Sequence, residues 1–139
     1  FLGKKFGRVF VVTNQAGIGK GIMTVAELDA VHLFLKKKVE NTGGRMDGIF
    51  YCPHKPSENC VCRKPKTGMA EQAKVIFPEI IFENCWMVGD SASDIEMGQK
   101  LGMATVQIAG KPEDFERPDA PKADFLFGSL SDFTKSPIF

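Results

Sequence analysis

Residues 86–108 read WMVGDSASDIEMGQKLGMATVQI, and this stretch decides the fold. Trp86-Met87-Val88-Gly89 is a short apolar run with the length of a buried strand, and residues 105–108 repeat the pattern. Between them, residues 93–101 have helical character and Gly102 supplies the stop. A strand, a helix and a strand within so few residues predict a parallel crossover unit, right-handed as such units are. The same alternation extends upstream. Residues 8–13, RVFVVT, predict a strand buried on both faces, and residues 14–23, with Gly17, Gly19 and Gly21, a turn-rich loop. Thr24 to Glu27 form a capping box that opens a helix to about residue 38, with Leu28, Val31, Leu35 and Val39 expected to face the core. Residues 41–44 stop that helix, residues 48–51 form a strand, and residues 52–66, carrying Pro53, Pro56 and Pro65, form a loop. Residues 68–76 predict a helix that ends before Pro78. Downstream, residues 111–122 carry three prolines and predict a surface loop. Residues 125–127 predict an edge strand, and a short helix follows residue 129. The whole is an α/β domain, a parallel sheet flanked by helices, spanning residues 1–139 as one unit. Ligands of such sheets sit at the carboxyl ends of the strands, which points to Thr13, Cys52 and Asp90.

Composition narrows the function. The 139 residues are 43% hydrophobic and 25% charged with a net charge of +1, ordinary for a globular domain. That balance gives no reason to expect a nucleic-acid or membrane partner. No apolar run is long enough to span a bilayer, and no signal-peptide pattern opens the chain, which predicts a cytoplasmic location. Three of the four cysteines fall within residues 52–62, and clustered cysteines without an export signal favour metal over disulfides.

Four clusters carry chemistry. Cys52-Pro53-His54 and Cys60-Val61-Cys62 place three sulfurs and one imidazole in a proline-stiffened loop with no core of its own. That is a closed tetrahedral zinc set, and metal binding would supply the missing ordering free energy. The alternative is free cysteines and a surface histidine. Cys85 stands apart and reads as a buried small hydrophobe. Arg63-Lys64-Pro65-Lys66 follows at once. It either balances the charge of a thiolate-bound zinc or aims a guanidinium fork and an ammonium at a phosphate. In Gly89-Asp90-Ser91-Ala92-Ser93-Asp94, Asp90 at a strand end suits a hard cation such as magnesium better than a mere turn. Asp94, starting the next helix, reads equally as a cap or a ligand. Thr13-Asn14-Gln15-Ala16-Gly17 offers hydroxyl and backbone donors to a phosphate, or is an ordinary strand-to-helix turn.

Taken in order, strand-TNQAG, CPH and CVC, RKPKTGM and the GDSASD turn resemble the haloacid dehalogenase phosphatases. The match lies in their zinc-containing branch of heptose-bisphosphate and histidinol-phosphate phosphatases, over residues 6–112. The resemblance implies a Rossmann-like sheet with a zinc-clipped loop at residues 52–62. It implies that Thr13 and Lys64 touch the transferring phosphoryl group and that Asn14, Gln15, Ala16, Arg63 and Ser91 contact the substrate. It implies that Asp90 ligates magnesium and that Cys52, His54, Cys60 and Cys62 bind zinc. The implied activity is a magnesium-dependent phosphomonoesterase on a small phosphorylated metabolite. The sequence leaves the oligomeric state open, with a monomer as the default expectation. Heptose bisphosphate is favoured by TNQAGIGKG and histidinol phosphate by the short CPHKPSENCVCRKPKTG loop.

The sequence departs from the family in one respect. The family places a strand ending in aspartate-x-aspartate before the Thr13 strand, supplying the nucleophile and two magnesium ligands. Here the twelve residues before Thr13 contain no acid. The expectation is that the phosphatase domain is incomplete at its amino end, that residues 1–139 alone are inactive, and that Asp90 alone holds magnesium weakly. A non-catalytic zinc and phosphate-binding module would account for the same gap.

Overall fold

The computed structural model describes residues 1–110, 112–116 and 118–138, with the backbone alone for Pro112 and Asp114. The proline-rich loop expected at residues 111–122 therefore lies partly outside the described residues. The chain divides into two compact units, Phe1–Arg63 with Gly68–Ala73, and Lys64–Thr67 with Lys74–Phe139. Among the described residues all three strand pairings are parallel, as the strand–helix alternation predicts.

The first unit begins with a single turn of helix, α1 (Leu2–Lys5), followed by β1 (Phe10–Asn14). A short helix, α2 (Ala16–Gly19), interrupts the predicted loop, and α3 (Val25–Asn41) leads to β2 (Gly48–Cys52). Among the described strands β1 pairs only with β2, from Phe10↔Gly48 to Asn14↔Cys52. With one neighbour its five residues are half-buried rather than buried on both faces. Asp47 sets the register. Its carboxylate accepts from the Val9 amide at 2.8 Å, Arg8 Nη1 at 3.2 Å and Arg45 Nε at 3.0 Å. Burial pushes this acid up, but the three donors outweigh it and hold its pKa below the ordinary carboxylate range. Arg45 Nη2 in turn donates to the carbonyls of Phe6 and Gly7, so the chain entering β1 is clamped to the turn entering β2.

Helix α3 carries the predicted capping box. Thr24 Oγ1 accepts from the Glu27 amide at 3.2 Å, and Glu27 Oε2 accepts from the Thr24 amide at 2.7 Å. It runs to Asn41, three residues past the predicted end. Of the four residues expected to face the core, only Leu28 is buried. Val31 and Leu35 are 53% and 39% exposed, and Phe34 and Leu33 beside them are exposed as well. Val39, near the far end, is half-buried, so the exposure falls on the middle of the helix. Periodicity marks an apolar stripe, but burial needs an apolar surface opposite it.

The second unit is built on β3 (Trp86–Gly89), α5 (Ala92–Lys100), β4 (Ala104–Ile108), β5 (Phe125–Phe127) and α6 (Leu130–Lys135). Helix α4 (Gly68–Ile76) joins the two segments of the chain, and its last three residues belong to this unit. Sheet order is β3-β4-β5, with β5 at the edge as predicted. Gly98 lets α5 lie directly on the sheet, because a Cβ there would stand 2.7 Å from Met87 Cβ and 2.8 Å from Thr105 Cγ2. Trp86 stacks on Phe125 at 5.5 Å and tilts against Phe133, which is fully buried. These contacts anchor α6 and β5 to the core.

Asp124 plays in this unit the part that Asp47 plays in the first. Its Oδ2 accepts from the amide and hydroxyl of Thr105 at 2.8 and 2.7 Å, and its own amide donates to Thr105 Oγ1 at 3.0 Å. The Thr105 donors hold its pKa below the usual carboxylate value. Thr105 is 1% exposed, so Asp124→Ala strands two buried donors and should destabilise the protein by about 1–3 kcal/mol in urea unfolding at pH 7. Because the folded-state pKa is lowered, the carboxylate's contribution is complete above the ordinary carboxylate range. It is lost as pH falls through the lowered value. The gap between wild type and variant should therefore narrow on acidification. A gap that stays constant to about pH 3 would show that the carboxylate's charge contributes nothing.

Candidate active site and metal centre

In the first unit the carboxyl ends of β1 and β2 lie level, with Thr13 opposite Tyr51 and Asn14 opposite Cys52. Two chain segments leave these ends and meet again. Gln15, next after β1, donates its amide to Cys52 O at 2.7 Å and its side-chain Nε2 to Thr13 Oγ1 at 3.1 Å. Ala16 opens α2, whose last residue, Gly19, donates its amide to Pro53 O at 2.9 Å.

The loop after β2 folds back so that Cys52, His54, Cys60 and Cys62 converge. Their four candidate ligand atoms all lie within 4.8 Å of one another. Cys52 Sγ is 3.4 Å from Cys60 Sγ and 3.6 Å from His54 Nδ1. Cys62 Sγ is 3.2 Å from His54 Nδ1 and 3.5 Å from Cys60 Sγ. A tetrahedron with metal–ligand bonds of about 2.0–2.3 Å has edges of roughly 3.5–3.8 Å, so the set fits zinc. A disulfide needs sulfurs about 2.05 Å apart, and all four cysteines are free thiols. A one-turn 3-10 helix at Pro56–Glu58 and the left-handed Asn59 reverse the chain between the two ligand pairs. Beneath them Cys52, Cys62 and Met69 are buried together, with Val12 and Phe50 packed alongside. Gly68 is required there, since a Cβ would meet Val61 O at 2.6 Å.

Crowding three thiols splits their acidities. Burial pushes Cys60 up, yet hydrogen bonds from the Arg63 amide and the neighbouring thiols prevail and bring it down to about 6. Burial and the charge of its neighbours push Cys62 up to about 12. Arg63 also donates from Nη1 to His54 O at 3.4 Å, which ties its side chain to the loop. Cys85 stands apart. It is half-buried rather than buried, because its thiol reaches out to donate to Ile81 O at 3.2 Å.

In the second unit Lys64 Nζ lies 2.5 Å from Asp94 Oδ1, with side-chain exposures of 11% and 7%. The other oxygen of Asp94 accepts from the Ser91 amide at 3.1 Å and the Ser91 hydroxyl at 2.7 Å, closing the cap of α5. The alternatives left open for Asp94 thus gain a third: it caps the helix and holds Lys64 at once. No sequence pattern links residues this far apart, so the pair was not legible. Gly89 was a signal, however, because a Cβ there would collide with the Asp94 carboxylate. Asp90 follows β3 as predicted and is exposed, packed by Gly110. Among the described residues Asp90 belongs to no group of three or more carboxylate, thiol or imidazole ligands. A hard cation there would need further oxygens.

The chain is similar to several known proteins. The HAD-hydrolase-like family matches residues 61–133. The chain is 37% identical over 138 residues to the D-glycero-beta-D-manno-heptose-1,7-bisphosphate 7-phosphatase of Pseudomonas putida, covering 99% of this chain and 78% of that protein. It is 33% identical over 130 residues to the corresponding alpha-anomer phosphatase of Mycobacterium tuberculosis, covering 90% of this chain and 65% of that protein. The crystal structure of the D,D-heptose 1,7-bisphosphate phosphatase of B. bronchiseptica, complexed with magnesium and phosphate, superimposes with a TM-score of 0.80. It has 28% identity and covers 89% of this chain and 70% of that one. The chain belongs to the haloacid dehalogenase-like hydrolases, in the heptose-bisphosphate branch of these phosphoric monoester hydrolases. Among the described residues no helix is long and apolar enough to cross a membrane.

Proposed function

We propose that the protein removes the 7-phosphate of D-glycero-D-manno-heptose 1,7-bisphosphate in a magnesium-dependent reaction in the cytoplasm. The observation that carries this reading is the 37% identity to such an enzyme, sustained along 138 residues. The buried Lys64–Asp94–Ser91 group supports it. In this reading Lys64 and Thr13 neutralise and position the transferring phosphoryl group, which is most of what phosphoryl transfer requires. Asn14, Gln15, Ala16, Arg63 and Ser91 contact the sugar phosphate. Asp90 would give one carboxylate to magnesium, which when bound offsets phosphoryl charge. Cys52, His54, Cys60 and Cys62 would hold zinc in a purely structural role. The family nucleophile is the first acid of an aspartate-x-aspartate pair, and no such pair occurs within residues 1–139. The alternative is a zinc- and phosphate-binding module without turnover.

The test is phosphate release by the product of the complete reading frame and by residues 1–139 alone. We expect the former to hydrolyse heptose bisphosphate well ahead of histidinol phosphate, and the latter to show no turnover of either. Preference for histidinol phosphate would move the substrate to the other branch. Binding of phosphate by the complete product without turnover would establish the module instead.

A further inference from the structure

The zinc-type loop and the loop after β1 are joined by main-chain hydrogen bonds. Gln15 N–H donates to Cys52 O, the carbonyl of a candidate metal ligand, and Gly19 N–H donates to Pro53 O, one residue on. These two bonds fall at the N-cap and at the last residue of α2, so the short helix is held at both ends. The approach at Gly19 leaves no room for a side chain. A Cβ there would stand 2.8 Å from Pro53 O, 3.1 Å from Lys55 N and 3.2 Å from Lys55 Cγ. Two of these three neighbours are backbone, which cannot swing aside as a side-chain tip can. Gly19 does not have a positive φ, so its lack of a side chain answers to this contact and not to backbone conformation.

From this juxtaposition the geometry points to Gly19 as a positioning residue. It seats the Gln15–Gly19 segment on the metal-bound loop, so that metal at Cys52, His54, Cys60 and Cys62 fixes where Gln15 and Ala16 meet the substrate. The inference rests on the proposed function for the substrate contact and for zinc at the four candidate ligands. Order passes from the ligand loop to α2 through Cys52 O and Pro53 O.

Two measurements test it. Amide hydrogen exchange on the intact protein, with zinc added and after chelation, reads the coupling without reference to activity. The Gln15 and Gly19 amides should be protected at least about tenfold more with zinc than without it, because the metal orders the loop that carries their acceptors. Equal protection in both states overturns the inference. The second measurement is Gly19→Ala in the active full-length protein. It should keep about one zinc per chain and its kcat within about twofold, and raise KM about tenfold through displacement of the segment. Unchanged KM with unchanged exchange at Gln15 also overturns it. If heptose bisphosphate is not the substrate, the kinetic arm fails with wild type itself, while the exchange arm still reads the coupling.

Discussion

Lys64→Ala should lower kcat for phosphate release by about 10²–10³-fold and leave KM within a few-fold, the pattern expected when a preorganised charge acts on the transition state. Arg63→Ala should do the reverse, raising KM, since Arg63 is tied to His54 O and is assigned to the substrate body. Equal effects of both variants on both constants would remove the division of labour. A loss of kcat at Lys64 has a second source that must be separated, because the ammonium is largely buried against Asp94. Removing one partner of such a pair costs about 3–5 kcal/mol, since the other charge is left uncompensated. Lys64→Ala is thus expected to melt earlier as well as to turn over slowly. The double variant Lys64→Met with Asp94→Asn resolves the two. A neutral pair of similar volume leaves no buried charge, and the amide oxygen introduced by Asp94→Asn still offers an acceptor to the Ser91 donors, which lie 2.7 and 3.1 Å from the native carboxylate. Stability should return most of the way towards wild type while kcat stays low. If kcat recovers with stability, Lys64 is a structural ion and not a phosphoryl contact.

What the sequence shows of this arrangement follows the range over which each interaction acts. Strands, the capping box at Thr24 and the glycine stop at Gly102 are set by neighbours a few positions apart, and they fall within two residues of the predicted places. The four candidate ligand residues are close in sequence too, and their side chains converge. The Lys64–Asp94 pair and the Thr105–Asp124 exchange join residues 30 and 19 apart. They depend on how β3, β4 and α5 stack, which periodicity does not encode. The α3 stripe failed for the converse reason. Periodicity marks the apolar positions, but burial depends on what lies opposite, and the middle of the helix is exposed at Val31 and Leu35. Gly19 and Gly89 fall between these cases. Both are visible as glycines in the motifs TNQAGIGKG and GDSASD, yet only the close approach to Pro53 and to Asp94 in the structure says why a glycine is there.

Metal analysis should find about one zinc per chain, and Cys60→Ser should reduce it to near none while Cys85→Ser retains it. Without metal, the segment from Cys52 to Cys62 is tied to its surroundings mainly at Cys52, Pro53, His54 and Val61. Its internal contacts include a one-turn 3-10 helix, the Lys55–Glu58 hydrogen bond and the thiol contacts, and Val61 is 78% exposed. Ordering each residue costs about 1–2 kcal/mol, so a segment of this length needs more than the burial of Cys52 and Cys62 returns. Zinc on three thiolates and an imidazole supplies it, with apparent binding free energies of roughly 10–16 kcal/mol in closed structural sites. Serine in place of Cys60 keeps the size but not the soft donor, leaving three ligands and an open position. With free zinc held well above its dissociation constant, the lost linkage is about 4 kcal/mol, a fall in melting temperature on the order of 10 °C. Proteolytic cuts should fall within residues 53–61 in the variant and in chelated wild type alike. Because zinc displaces protons from the thiols, the wild-type affinity should fall as pH falls, with acid releasing metal before it unfolds the chain. Retention of zinc and of protease resistance by Cys60→Ser would mean that the four ligand atoms converge for packing alone.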